Sequence, residues 1–328
     1  MGYTVGPVTL TSLMVLLAPG WAWSQPDVAP QAIGVRVERL VDAPIIRPHM
    51  DGKMGSNIAG PSLIKVPDWV SDPLGRYYLY FADHRGTYIR LAYADALTGP
   101  WTMHEPGTLN LSQSHFATTP PHPDKYVHVA SPDVHVREER QEIVMYVHGQ
   151  DLERQLTRVA TSRDGLHFES HPEILGRPYF RVFRHDDHFY ALAMPGVIYR
   201  SVDGLSGFEQ GPRLFNEDMR HSAVLVHDER LYVFWTQARD APERVLLSTV
   251  DLTGDWMTWT DSAATEVLRP ERTWEGAEFP IRPSERGSIN EPVNQLRDPA
   301  IYQEEGRIYL LYAVAGERGI AIAEIHLP

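Results

Sequence analysis

The sequence predicts an all-β protein, a five-bladed β-propeller whose ring is closed by an N-terminal strand. Three observations predict it. Short β-branched and aromatic runs, bounded by Gly, Asp and Pro, recur along the chain. Such runs are strand chemistry, and no long segment of 3.6-residue period competes with them. The runs also fall into five matching groups of three or four strands, as the blades of a propeller do. A β-sandwich has similar strand content but does not call for five like units.

The first unit reads Gly60-Pro61-Ser62-Leu63-Ile64, then Arg76 to Phe81, then Tyr88 to Ala94, and closes at Gly99-Pro100-Trp101. The second runs from Ser131-Pro132-Asp133-Val134-His135 through Glu142 to Val147 and Thr157 to Ala160, into the turn Ser162-Arg163-Asp164-Gly165. The third has Tyr179 to Phe183, Phe189 to Ala193, Val197 to Arg200 and the like turn Ser201-Val202-Asp203-Gly204. The fourth has His221 to Leu225, Leu231 to Trp235 and Val245 to Ser248. The fifth has Asp298-Pro299-Ala300-Ile301-Tyr302, Ile308 to Tyr312 and Gly319 to Ala323. It stops after three strands, so Val35 to Leu40 is expected to supply its outer strand. Closure hides sheet edges that would otherwise pair with other chains.

Residues 1–24 read as a signal peptide and 25–328 as one propeller domain. The apolar run Val8 to Leu17 is followed by Pro19, Gly20 and Ala22-Trp23-Ser24, with cleavage expected near Ser24 or Gln25. That predicts a periplasmic or secreted protein. The run is too short to span a bilayer, and no membrane span is expected elsewhere. The 328 residues include no cysteine, which excludes disulfides, thiolate metal sites and a cysteine nucleophile. A formal net charge of −13 argues against a nucleic-acid partner. Oligomeric state is left open by the sequence.

In a propeller the innermost strands line the axis and their leading ends converge at one mouth. Aligned on the repeat, the converging residues are Gly60, Ser131, Tyr179, His221 and Asp298. Two positions on, by the strand period, come Ser62, Asp133, Arg181, Ala223 and Ala300. Asn57, His128, Arg220 and Arg297 lie just ahead of these strands. Charged and imidazole groups gathered so closely point to binding or catalysis rather than core. Two long loops, Leu109 to Val129 and Arg269 to Arg297, are expected over the same face. Trp274 on the second would stack on the flat face of a ligand or anchor its own loop.

The repeat order, the phrases Ala130-Ser131-Pro132-Asp133-Val134 and Arg297-Asp298-Pro299-Ala300-Ile301, and the two Ser-x-Asp-Gly turns resemble the five-bladed glycosidases of glycoside hydrolase family 43 and its relatives. The resemblance covers nearly all of the chain after the leader. It implies an enzyme acting on an oligo- or polysaccharide, with a base Asp in the first blade, a tuning Asp in the second and an acid Glu in the third. Asp133 matches the second position. Gly60 stands at the first, and the third blade, Gly176 to Arg181, offers no Glu.

The incomplete triad leaves three readings. The acid and base have moved, with Asp133, His221 and Asp298 as the catalytic groups; Asp51, Asp83, Glu275, Glu278 and Glu291 are further carboxyl candidates. His221 would be the acid, with His135 or His128 next. Alternatively a uronic-acid glycan is cleaved by a lyase, with Arg181, Arg220, Tyr179 and Asn57 holding it. The third reading is a propeller that only binds glycans. Substrate contacts are expected from Asn57, His128, His135, Tyr179, Arg181, Arg220, Arg297 and Trp274. The sequence names no certain cofactor. One divalent metal in the channel would draw on His84, His135 or His221, although no HExxH pair or EF-hand loop occurs.

Overall fold

The computed structural model describes residues 1–4, 6 and 34–328. The expected leader therefore lies, but for those five positions, outside the described residues. From Gly34 to Pro328 the chain forms one unit of five four-stranded antiparallel sheets. The first blade is β2 (Ala59–Lys65), β3 (Tyr77–Ala82), β4 (Tyr88–Ala94) and β5 (Thr102–Asn110). The second is β6 (Val129–Arg137), β7 (Glu142–Asp151), β8 (Arg154–Ser162) and the short β9 (Glu169–Ser170). The third is β10 (Arg181–His185), β11 (His188–Ala193), β12 (Val197–Ser201) and β13 (Glu209–Arg213). The fourth is β14 (Met219–His227), β15 (Arg230–Gln237), β16 (Val245–Asp251) and β17 (Thr265–Leu268). The fifth joins β18 (Arg297–Glu304), β19 (Arg307–Ala313) and β20 (Ile320–His326) to β1 (Arg36–Arg39). Strands β2, β6, β10, β14 and β18 stand innermost and adjoin around the axis.

Five apolar clusters hold the blades together. The middle-strand aromatics supply them: Tyr78 and Tyr80 between blades one and two, Tyr146 between two and three, Tyr190 and Trp235 between three and four. Phe234 and Tyr312 pack between four and five, and Tyr77 and Phe81 between five and one. The Ser-x-Asp-Gly turns are the polar side of the same seams. Tyr80 donates its hydroxyl to the Gly165 carbonyl at 2.9 Å, and Tyr146 donates to that of Gly204 at 2.6 Å. Each turn thus seats a tyrosine from the preceding blade. Asp164 accepts from the Leu166 and His167 amides at 2.8 and 2.9 Å, which gives the turn its shape.

The ring shuts where β1 pairs with β20, from Arg36 opposite His326 to Arg39 opposite Ala323. Arg39 then grips the buried Glu275 carboxylate through Nε at 2.7 Å and Nη2 at 3.0 Å. Tyr312 donates to the same carboxylate at 2.9 Å. Glu275, a carboxyl candidate from the sequence, is a latch between β1, the long loop and β19.

The inner strands share one irregularity. Register slips between Ala59 and Ser62, Ala130 and Asp133, Met219 and Ser222, and Arg297 and Ala300. In three of these bulges one residue has a left-handed backbone: Gly60 at φ +62°, Ser131 at +49° and Asp298 at +47°. Tyr179, just ahead of β10, has φ +68°. Bulges re-aim side chains. A non-glycine residue held in this conformation costs on the order of 1–3 kcal/mol and marks functional sites. Gly60 has its own reason: a Cβ there would stand 2.8 Å from the Ser131 Cα. Position 60 therefore has no room for the carboxylate that the family resemblance implies there.

Candidate functional site

The leading ends of the inner strands bring Tyr179, His221 and Asp298 together at one mouth of the axis. In an antiparallel blade the second strand ends where the first begins. The turns after the second strands therefore reach the same mouth. They deliver His84 after β3, His148 near the end of β7, Glu243 between β15 and β16, and Glu317 between β19 and β20.

Asp298 is the focus. Its Oδ1 accepts from the Tyr179 hydroxyl at 2.8 Å and lies 3.6 Å from His221 Nε2. The Asp298 amide donates to His221 Nδ1 at 3.3 Å. That bond leaves the imidazole proton on Nε2, facing the carboxyl, a tautomer assigned from the partners. Asp298 Oδ2 is buried with no partner among the described residues. Burial and then the Glu317 charge raise the carboxyl to about 6. Burial, with Arg220 and Arg297 nearby, pushes His221 well below its ordinary value, so it is neutral.

Two glutamates balance two arginines behind this pair. Glu243 Oε2 sits 3.2 Å from Arg220 Nη1 and 3.3 Å from Arg297 Nε. Glu317 Oε1 takes Arg297 Nη1 at 2.9 Å and faces His84 Nδ1 at 3.1 Å, while Asn57 donates to its Oε2 at 2.7 Å. Burial alone would raise Glu317, but His84, Arg297 and Asn57 outweigh it and hold the carboxylate at about 2. The long loop ahead of β18 comes down on the arginines: Glu285 and Gly287 carbonyls accept from Arg220 and Arg297 at 2.8 and 3.1 Å.

A row of rings crosses the mouth. Centroids are 5.0 Å apart from Tyr126 to His128, 5.4 Å to His148, 6.0 Å to Tyr179 and 5.3 Å to His221. Burial, then the charge of His84, lowers His128 to about 4. His148 is pushed well down by the same burial, with His128 beside it. Both nitrogens of His128 and Nδ1 of His148 are buried without partners among the described residues. Buried polar atoms are normally satisfied, and these three are not. His84 keeps 20% of its side chain exposed, while His128, His148, Tyr179, His221 and Asp298 are buried.

Arg181 divides the axis one step below. Its guanidinium lies 4.1 Å from the Tyr179 ring centroid. It donates to the Ser222 carbonyl at 2.9 Å, the Ser131 carbonyl at 3.3 Å and the Pro132 carbonyl at 3.4 Å, so it spans blades two to four. Asp133 belongs to this lower level with Ser62, Ala223 and Ala300, around a cavity that His221 and Asp298 do not line. Its Oδ2 accepts from the Val182 amide at 2.7 Å and pairs with His135 Nε2 at 2.8 Å.

The mouth thus gathers Asn57, His84, His128, Tyr179, Arg220, His221, Arg297 and Asp298, with Arg181 beneath. Asp133 and His135 stand on the other side of Arg181. Trp274 packs, partly buried, against the apolar cluster between blades four and five, the loop-anchoring alternative. The three histidines considered for a metal are parted: His84 faces Glu317, His135 faces Asp133 and His221 faces Asp298. Among the described residues no three His, Asp or Glu side chains are grouped to hold a metal ion. Sequence reasoning missed His148, Glu243 and Glu317. Aligning the turns after the second strands, as the first strands were aligned, would have found them.

The chain is a five-bladed β-propeller, and solved structures share the fold. A glycosyl hydrolase from Bacteroides ovatus superposes with a TM-score of 0.63 at 12% identity, over 93% of this chain and 96% of its own. A glycoside hydrolase family 43 β-xylosidase/α-arabinofuranosidase from a compost metagenome, in complex with xylotriose, gives 0.55 at 13%, over 89% and 95%. A glycoside hydrolase family 130 structure, described with mannoside phosphorylases and hydrolases of β-1,2 mannosidic linkages, gives 0.61 at 13%, over 93% and 96%. No family model matches the chain. By sequence it belongs to one family with an uncharacterized protein of Acanthamoeba polyphaga mimivirus, 37% identical over 298 residues, 82% of this chain and 83% of the viral protein.

Proposed function

We propose that the chain is a glycoside hydrolase that cleaves an oligo- or polysaccharide at the Tyr179–His221–Asp298 mouth, with Asp298 as general acid. The observation that supports this reading is a buried carboxyl raised to about 6, with one oxygen unpartnered. Tyr179 occupies Oδ1, so the proton sits on Oδ2 and is given to the glycosidic oxygen as the bond breaks. The neutral His221 Nε2–H then stabilises the carboxylate left behind. His128 and His148, neutral and with free nitrogens, are the acceptors at hand for the proton of the attacking water.

A lyase would need a free base for the α-proton of a uronate. Burial, the Asp298 charge and the hydrogen bond to it commit the Tyr179 hydroxyl and raise it well above its ordinary value, which removes Tyr179 as that base; a lyase would draw on His128 or His148 instead, so the product's absorbance decides between the two readings. The apolar run Val8 to Leu17 and the small residues after it, read as a leader, are what supports export. The test is a panel of plant, algal and fungal oligosaccharides. Reducing ends without absorbance near 230 nm are expected, lost in Asp298→Asn, with kcat falling as pH rises through about 6. Product with a new 230 nm band, or full activity in Asp298→Asn, overturns the reading.

A further inference from the structure

On the far side of Arg181 the axis widens into a cavity of about 630 Å3, unused by the chemistry above. That is within the roughly 300–1,000 Å3 typical of small-molecule pockets. Its floor is the ring Ser62, Asp133, Arg181, Ala223 and Ala300, where two alanines leave the space open. Two polar atoms on this floor are unused. Arg181 is 3% exposed, and its Nη2 has no partner although Nε and Nη1 are fully engaged with carbonyls. Asp133 spends Oδ2 on Val182 and His135, and its Oδ1 carries no hydrogen bond among the described residues. His135 gives Nε2 to Asp133, and 37% of its side chain remains exposed, with Nδ1 free.

The charges here are already met. Asp133 faces both His135 and Arg181, so a charged ligand would bring an uncompensated ion to a buried floor. What is missing is one acceptor for Arg181 Nη2 and one donor for Asp133 Oδ1. A vicinal diol supplies both without net charge. We propose that this cavity is a second carbohydrate site, closed off from the mouth by Arg181. It takes a neutral sugar through adjacent hydroxyls, one accepting from Arg181 Nη2 and one donating to Asp133 Oδ1, with His135 Nδ1 as a third contact. The proposal stands apart from hydrolysis at the mouth.

The test uses the full chain carrying Asp298→Asn, which prevents turnover under the hydrolase reading. Titration calorimetry is run with xylobiose and mannobiose, and with glucuronate and glycine as the anionic and zwitterionic comparators. A neutral disaccharide is expected to bind, and adding Asp133→Asn or His135→Ala should weaken one binding step at least tenfold. Asp133→Asn keeps an acceptor for the Val182 amide, and His135 is partly exposed, so both variants should melt within a few degrees of the parent. If Asp133→Asn fails to fold, His135→Ala carries the test. Sugar binding unchanged by either substitution overturns the site. So does tighter binding of glucuronate or glycine, or no neutral sugar bound at all. Activity of the unsubstituted chain, measured separately, reports on the mouth alone.

Discussion

Replacing Asp298 by Asn should make the protein more stable, and only above a defined pH. The carboxyl ionises near 3.8 when unfolded and near 6 when folded, because burial and Glu317 oppose its charge. At about 1.36 kcal/mol per pH unit, the ionised group destabilises the folded chain by on the order of 3 kcal/mol. Below pH 4 both states are protonated and the penalty is absent. It grows as pH rises and is complete above about 6. Asn carries no charge and still accepts from Tyr179. Urea midpoints of parent and variant should therefore coincide near pH 4 and part by on the order of 3 kcal/mol at pH 7.5, the variant ahead. Other titrating groups cancel in the difference. A gap independent of pH, or a variant less stable at pH 7.5, would refute the argument. Stabilisation together with lost turnover is the signature of a strained functional group.

His128 works in the opposite direction. Burial holds it at about 4 against 6.5 when unfolded, so its neutral form stabilises the fold above pH 6.5 and that contribution fades as pH falls. His128→Phe should remove on the order of 2 kcal/mol of the acid loss between pH 7.5 and 4.5; unfolding curves at the two pH values decide it, and an unchanged acid loss would count against the burial. Glu243→Gln leaves Arg220 without its carboxylate and Arg297 with one, and should cost about 3 kcal/mol; a melting temperature within 1 °C of the parent would show the pair to be solvated. Gly165→Ala should cost about 2 kcal/mol or more, because φ is +74° and a Cβ would stand 2.7 Å from the Tyr80 hydroxyl. Tyr80→Phe, which only loses that hydrogen bond, should cost about 1 kcal/mol, and thermal unfolding of the two variants should rank them in that order.

The propeller was legible because each blade repeats one pattern, and a seam filled by Tyr80 or Tyr146 pairs a middle-strand aromatic with the Ser-x-Asp-Gly turn of the next blade. Counting along the inner strands also placed Tyr179, His221 and Asp298 at one level and Asp133 and Arg181 at the next. The sequence could not show that a guanidinium would fill the ring between those levels and part Asp133 from Asp298. Glu243 and Glu317 escaped because they sit in turns with no shared spelling, one in Ala241-Pro242-Glu243 and one in Gly316-Glu317-Arg318. Their signal is distance from a strand end rather than a motif. Glu275 looked reactive as one acid in a charged loop, and only the Arg39 contact shows it spent on holding the ring together. Gly60 looked like a lost carboxylate, yet the approach of Ser131 dictates glycine.

The pairing of β1 with β20 also sets the order of events when the chain is made. Arg36 must meet His326, 326 − 36 = 290 positions later. Local hairpins of each blade can form as they appear, but the loop that joins these two strands is nearly the whole domain and its closure entropy is correspondingly large. Until the final strand has left the ribosome, the open edge of β19 and the apolar flank of the first blade have no neighbours, and both are surfaces on which growing chains stick to one another. Folding should thus end in one late docking step. Weakening the Arg39–Glu275 grip would slow that step and raise the yield of aggregates during refolding before it measurably changed the mouth on the axis.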